Sequence, residues 1–276
     1  LARRNNKGRT ASPVPFVPEP PQQAGAQLGF ASPTEFVELP SKGRLYPPDH
    51  PFHMREEVEI KFMTAKEEDI LSSKVLLSKG LAFDRLLQSL LVDDIDIKTL
   101  IAGDKNALLV AARVTGYGPE YAVNVTCPKC GHAEAYDFDL ESLPLIYVPE
   151  DLEITAEGTF SVTLPKTGAE VEIKYLNSKE QEYLTRNAEA KVKNGLPETT
   201  TTDFLKMVMV SIGTETSRRK IDSFIMNMPS YDSLHVRKIY NSISPNIDMK
   251  QDYQCSSCGA TTALEVPLGG NFFWPN

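Results

Sequence analysis

Apolar and polar residues alternate with two different periods along this chain, and each change of period marks a new element. Val58-Glu-Ile-Lys-Phe62 alternates residue by residue, as a half-buried strand does. Phe36-Val-Glu-Leu39 precedes it across a Pro40-Ser-Lys-Gly43 turn and reads as the start of ordered structure. From Thr64 the spacing becomes helical. Thr64 and Glu67 form an S/T-x-x-E capping box that opens a short helix to about Leu71. Phe83, Leu86, Leu87, Leu90 and Leu91 recur at helical spacing. Asp96 is expected to cap Lys98 to Ile101. Asp104 is expected to cap a helix with Leu108, Ala111, Ala112 and Thr115 on one face, which Gly116 would end. Residues 64–116 therefore read as a succession of short packed helices.

Strand periodicity returns at Tyr121–Val125, Tyr136–Leu140, Asp252–Gln254 and Ala263–Val266. Between these outer strands, Thr155–Leu164 and Ala169–Tyr175 flank Pro165-Lys-Thr-Gly168 and predict a β-hairpin. Leu164 to Gly168 also spells the sortase sorting signal L-P-x-T-G. That signal needs an apolar span and a basic end after it, and a polar strand follows here, so the turn reading is preferred. Ser178 and Gln181 suggest a second capping box, opening a helix to about Lys193. Phe204, Leu205, Val208, Met209 and Ile212 predict one amphipathic helix, and a last helix is expected from Tyr231 to Ile243, stopped by Pro245.

The cysteines give this pattern its chemistry. The chain has four, in Cys127-Pro-Lys-Cys130-Gly131 and Cys255-Ser-Ser-Cys258-Gly259, and each pair falls between two predicted strands. A strand–knuckle–strand places two thiolates across a tight turn, and the glycine can take the left-handed conformation the knuckle needs. Two such hairpins facing one another form a zinc ribbon, with Cys127, Cys130, Cys255 and Cys258 as ligands of one structural Zn²⁺. Four thiolates fill a tetrahedral site and leave no position for substrate or water. A thioredoxin-like redox role needs a helix after its Cys-x-x-Cys, and neither pair has one. His132 could replace a cysteine, but with four thiolates available it reads as a surface residue.

The expected fold class is therefore α+β. A zinc-ribbon-like hairpin pair joins a short-helix N-terminal region, and an α+β lobe is inserted between the two hairpins. Residues 1–34 would be an extended arm, since Pro13, Pro15, Pro18, Pro20, Pro21 and Pro33 lie there among Ala, Gln and Gly. Residues 35–145 and 248–276 would make the core domain, with 146–247 as the inserted lobe. The 124 residues between Cys130 and Cys255 far exceed what a compact ribbon needs. An inserted lobe needs its two ends close together, which a shared metal would enforce.

Charge narrows the partners. The chain carries −8 in 276 residues, which disfavours a free-standing nucleic-acid binder. Arg3, Arg4, Lys7 and Arg9 nevertheless give the first ten residues +4, leaving −12 for the rest. Around the knuckles Lys129 and Lys250 are outnumbered by Glu134, Asp137, Asp139, Asp248, Asp252 and Glu265, so the ribbon itself is a poor nucleic-acid surface. No apolar run approaches the roughly 20 residues of a membrane span, and no stretch reads as a signal peptide. Folding in a reducing cytosol is expected, where paired cysteines act as metal ligands and not as disulfides.

No enzyme motif emerges: there is no G-x-S-x-G, P-loop, H-E-x-x-H or dinucleotide glycine pattern. Asp93, Asp94 and Asp96 could form a loose cation site, but a solvated acidic turn is the preferred reading. Asn271-Phe-Phe-Trp-Pro-Asn276 places three aromatics near the end of the chain, where they must dock into the same chain or a neighbour.

Several stretches in order carry a resemblance. They are Glu38-Leu-Pro-Ser-Lys-Gly43 with Tyr46-Pro47, Phe62-Met-Thr-Ala-Lys-Glu-Glu-Asp-Ile-Leu71, Gly103-Asp-Lys-Asn-Ala107, Arg113-Val-Thr-Gly-Tyr-Gly118, and Tyr121 through Gly131. Together they resemble the baseplate hub proteins of T4-like contractile-tailed bacteriophages, over roughly residues 36–175. The resemblance implies a non-enzymatic structural or assembly protein of the tail baseplate hub, within a symmetric assembly. It implies other hub subunits and the tape-measure protein as partners, and a place in the virion baseplate after assembly in the host cytoplasm. The alternative from another class is a zinc-ribbon adaptor that contacts nucleic acid through the basic first ten residues.

Overall fold

The computed structural model describes residues 32–267 with Phe272 and Phe273, so the expected arm over residues 1–31 and the expected docking of Trp274 lie outside the described residues. Strand β1 (Thr34–Glu38) pairs antiparallel with β2 (Glu57–Lys61), with Val37 opposite Val58. β1 begins two residues before Phe36. The segment between the two strands folds back on itself and buries Leu45, Tyr46 and Phe52.

Helices α1 (Ala65–Ser72), α2 (Lys74–Ser78) and α3 (Ala82–Leu90) follow. The Thr64–Glu67 capping box is present with both of its hydrogen bonds. α3 buries Leu86, Leu87 and Leu90 on one face. A 3₁₀ turn at Ile97–Thr99 is capped by Asp96, whose carboxylate accepts from the Lys98 amide at 3.1 Å.

Helix α4 (Ala102–Tyr117) departs from the sequence reading at both ends. Its N-cap is Ile101. Asp104 sits inside the first turn and is fully buried, turned toward the β1–β2 connection and away from its own helix. Gly116 lies inside the helix beside Met63, and the chain turns out at Gly118, where φ is +84°.

The two cysteine hairpins are β3 (Glu120–Thr126) with β4 (Ala133–Asp139), and β10 (Lys250–Gln254) with β11 (Thr261–Glu265). Between them, β5 (Leu145–Ile146) and β9 (Asn246–Ile247) pair antiparallel, Leu145 opposite Ile247, so the two ends of the long excursion are hydrogen-bonded neighbours. Gly103 of α4 supports this junction from beneath. A Cβ there would lie 2.0 Å from the Pro245 carbonyl oxygen.

Inside the excursion, β6 (Thr159–Thr163), β7 (Glu170–Lys174) and β8 (Met209–Ile212) form an antiparallel sheet in that order. The 165–168 turn is held by Asp232, whose carboxylate accepts from the Lys166 and Thr167 amides at 2.7 and 3.0 Å. Helix α5 (Ser178–Lys193) does open with a capping box, but Asn177 and Glu180 make it. Ser178 instead donates its hydroxyl to the Leu100 carbonyl at 2.8 Å.

The run from Phe204 to Ile212 is not one helix. Helix α6 (Thr200–Val208) stops, and Met209–Ile212 becomes β8 on the free edge of β7. Pairing of β8 gives partners to backbone groups on the open edge of β7 that would otherwise face solvent, and β-branched Val210 and Ile212 suit a strand. Helices α7 (Arg218–Asn227), which the sequence reading did not identify, and α8 (Ser230–Ser242) complete the excursion. From Ser32 onward the chain clusters as one compact unit, and one apolar core runs from Val37 and Leu39 to Val236 and Tyr253.

Candidate metal centre

Each knuckle is built by its own backbone. The Cys127 amide donates to the His132 carbonyl at 2.8 Å, and the Gly131 amide returns to the Cys127 carbonyl at 2.9 Å. The second knuckle repeats this: Cys255 to Ala260 at 3.0 Å, and Gly259 to Cys255 at 2.9 Å. Gly131 and Gly259 have φ of +73° and +66°, the left-handed region that favours glycine. The same local chemistry thus produces the same shape twice.

The two hairpins face one another. Cys127 Sγ lies 3.9 Å from Cys258 Sγ, and Cys130 Sγ lies 3.7 Å from Cys255 Sγ. All four sulfurs fall within 4.8 Å of one another, so the structure brings together the four residues singled out in the sequence. These separations far exceed the roughly 2.05 Å of a disulfide. Four sulfurs at about 2.3 Å from a tetrahedral zinc ion would stand about 3.8 Å apart. The donor set therefore fits a tetrahedral thiophilic cation. Cys127 and Cys255 are buried, while Cys130 and Cys258 lie at the surface. The His132 side chain takes no part in the cluster.

The electrostatics of the free thiols point the same way. The Cys258 amide, with help from the Tyr253 hydroxyl and the Ser257 amide, brings the Cys255 thiol down to about 6. Cys130 moves in the opposite direction. The His132 amide favours its thiolate, but desolvation and the sulfurs of Cys258, Cys127 and Cys255 outweigh that and push it up to about 12. Four thiolates cannot crowd together without a neutralising charge, and a divalent cation supplies one.

Side chains that sequence reasoning did not single out as structural ties hold the hairpins in this pose. Glu134 on β4 accepts from the Ser256 amide at 3.1 Å and from the Tyr253 hydroxyl. These bonds to Ser256 and Tyr253 hold the Glu134 carboxyl down at about 2. Tyr136 packs edge-on against Tyr253 with ring centroids 5.2 Å apart, and its hydroxyl donates to the Asp252 carbonyl at 2.9 Å. Gln251 on β10 accepts from the Asp139 amide at 3.2 Å and donates back to the Asp139 carbonyl. The available signal was strand alternation, which puts Glu134 and Tyr136 on one face of β4, but it names no partner.

Two buried charged groups anchor the ribbon's surroundings. Arg113 of α4 is 1% exposed and, among the described residues, forms no ion pair with a carboxylate. It donates to the carbonyls of Phe272 at 2.8 Å, Gly118 at 2.7 Å and Glu120 at 3.0 Å. Phe272 packs edge-on against Tyr121, and Phe273 packs against Phe83. Two of the three terminal aromatics therefore dock within their own chain, and are not a free surface for partners. Asp104 accepts from the Ser41 amide at 2.9 Å, the Ser41 hydroxyl at 2.6 Å and the Tyr46 hydroxyl at 2.7 Å, and Tyr46 in turn accepts from the Ile101 amide at 3.1 Å. Desolvation pushes its carboxyl above the usual range, against the pull of those donors.

Comparison with known proteins places this architecture. A family model described as T4 bacteriophage base plate protein matches residues 33–274. The chain belongs to that family. No curated protein matches it, and neither does any solved structure. As a baseplate protein its partners are other baseplate components. No described helix is long and apolar enough to cross a membrane. Ser41, Tyr46, Asp104 and Arg113 all belong to the stretches that carried the resemblance, and each makes a buried tether.

Proposed function

We propose that this baseplate protein is a non-enzymatic structural or assembly subunit of the tail hub, stabilised by one structural Zn²⁺ on Cys127, Cys130, Cys255 and Cys258. The observation that carries the zinc assignment is the set of sulfur separations, 3.7 and 3.9 Å between hairpins whose cysteines are more than a hundred residues apart in sequence. When bound, the ion supplies positive charge to four thiolates and links the two knuckles. With no open coordination position its contribution is to folding. The site closes the base of the excursion, which supports reading 35–145 and 248–276 as the core domain and 146–247 as an inserted lobe. Other hub subunits and the tape-measure protein are the proposed partners. The protein is assigned to the virion baseplate, after assembly in the host cytoplasm within a symmetric complex, with residues 1–34 as an arm toward its neighbours.

Metal analysis of the purified chain tests the central claim. One zinc per chain is expected, with all four thiols protected from alkylation until a chelator is added. Iron in its place, or thiols that react freely without chelator, would defeat the assignment. Antibody labelling of intact virions tests the location. Decoration at the baseplate end is expected, and a protein found only in lysates of infected cells would remove the virion role.

A further inference from the structure

The excursion and the β1–β2 connection enclose a cleft of ≈ 600 Å³ unrelated to the cysteines. Its floor is apolar, with Leu45, Tyr46, Ile95 and Ile101 at 5% exposure or less. Its rim is acidic, formed by Asp49, Asp94, Asp96 and Glu157. Among the described residues none of these four carboxylates is in an ion pair; the cleft's one lysine, Lys174, is paired with Glu180. Asp96 is occupied as the cap of the Ile97–Thr99 turn, whereas Asp49, Asp94 and Glu157 are exposed.

The sequence contains a complementary segment. Arg3, Arg4, Lys7 and Arg9 carry +4 with no acid among the first ten residues, and Pro13-Val-Pro-Phe-Val-Pro18 follows directly. Cations suit the rim. A proline-rich run suits an apolar floor beside a tyrosine, because proline has little backbone freedom left to lose on docking. Arg9 lies 23 positions before Ser32, a contour length of about 75–80 Å. A compact body of this size has a radius of gyration of about 18 Å, so that length extends well past one body. The residues after Thr10 carry −12, so the basic segment is the part of the chain that is attracted to the rest of a second copy.

We infer that this acid-rimmed cleft receives residues 1–18 of a second copy of the chain, linking neighbouring subunits by exchange of their N-terminal segments. The inference rests on the scaffold reading only for the presence of neighbouring copies. It adds which surface joins them.

A charge-reversal exchange in full-length chains tests it. One variant carries Arg3→Glu, Arg4→Glu, Lys7→Glu and Arg9→Glu. The other carries Asp49→Lys, Asp94→Lys and Glu157→Lys, all exposed positions, and both are checked for native circular dichroism and zinc content. In sedimentation velocity the natural chain should form species larger than the monomer, with association at least about tenfold weaker when sodium chloride is raised from about 50 to 500 mM. Each variant alone should be monomeric, and an equimolar mixture should regain association, since each cleft then meets a segment of opposite charge. A folded mixture that stays monomeric overturns the exchange and leaves the zinc and virion assignments standing. So does self-association of either variant at the natural strength. Binding of a short DNA duplex by the natural and cleft-reversed chains alike, with no association between chains, would also overturn it, assigning the basic segment to nucleic acid.

Discussion

The β6–β7–β8 sheet and the cysteine hairpins are both small antiparallel structures, yet they are held by different means. In β6 and β7, Phe160, Val162, Val171 and Ile173 are 3% exposed or less, and Val208 and Met209 are buried as well. In β10 and β11, Tyr253 is the one buried residue, whereas β3 buries Tyr121 and Val125 and β4 buries Phe138. A two-stranded sheet is marginal in water without a hydrophobic face. The β10–β11 hairpin therefore depends on what its knuckle and the cross-hairpin side chains contribute, while the three-stranded sheet is sustained by burial. Where the core thins out, the proposed zinc site would take over.

The sharpest way to break this comparison is to remove one ligand. Cys255→Ser should abolish stoichiometric zinc and raise amide exchange across 120–139 and 250–265 toward that of an unstructured chain. Structural zinc is worth about 10 kcal/mol or more in small domains. Protection in 159–174 should persist, because its contacts are apolar. Equal loss of protection in both regions would mean that they fold as one inseparable unit.

Arg113→Ala comes next. It strands the carbonyls of Phe272, Gly118 and Glu120 and frees the terminal aromatics, and about 3–4 kcal/mol of stability should go, measured by urea denaturation. The loss should appear with zinc still bound, which separates it from the cysteine variant.

Asp104 should have a smaller effect with a distinctive pH signature. Asp104→Ala leaves Ser41 and Tyr46 without their acceptor, at a cost of about 2–3 kcal/mol. Asp104→Asn keeps the shape and should cost less. Because the folded carboxyl titrates above its unfolded value, the folded state holds the proton more tightly. This group's contribution is therefore fully present below the unfolded value and is lost as pH rises through the raised folded one. Asp104→Asn should flatten that portion of the stability–pH curve. A curve unchanged by the substitution would mean the carboxyl titrates alike in the folded and unfolded chains.

These residues also show how far the chain could be read without coordinates. The capping box at Thr64, the α3 face and both knuckles were legible because each is a local pattern with one physical solution. Asp104 was misread because an acid near a helix start normally serves its own helix. Here Ser41 and Tyr46, some sixty positions earlier, claim it. The Phe204–Ile212 run was misread because its spacing fits a helix, and only the open edge of β7 makes its last four residues a strand. Arg113 was quoted as part of a motif, but its role stayed hidden because its acceptors are backbone carbonyls, which no sequence pattern marks. Convergence of the four cysteines was legible because two distant copies of one knuckle have a shared use only when they meet.

The smallest expected effect tests whether the cross-hairpin ties matter once metal is in place. Glu134→Gln keeps the size of the side chain but replaces a carboxylate acceptor with a neutral amide, weakening the bonds from the Ser256 amide and the Tyr253 hydroxyl. If the ion and the ties share the work of closing the ribbon, zinc content should stay at one per chain. Exchange of the Ser256 amide should then rise several-fold, and chelator should extract the metal faster than from the natural protein. If the metal alone closes the ribbon, extraction will proceed at the natural rate. The polar contacts between the hairpins would then be a consequence of the site rather than a support for it.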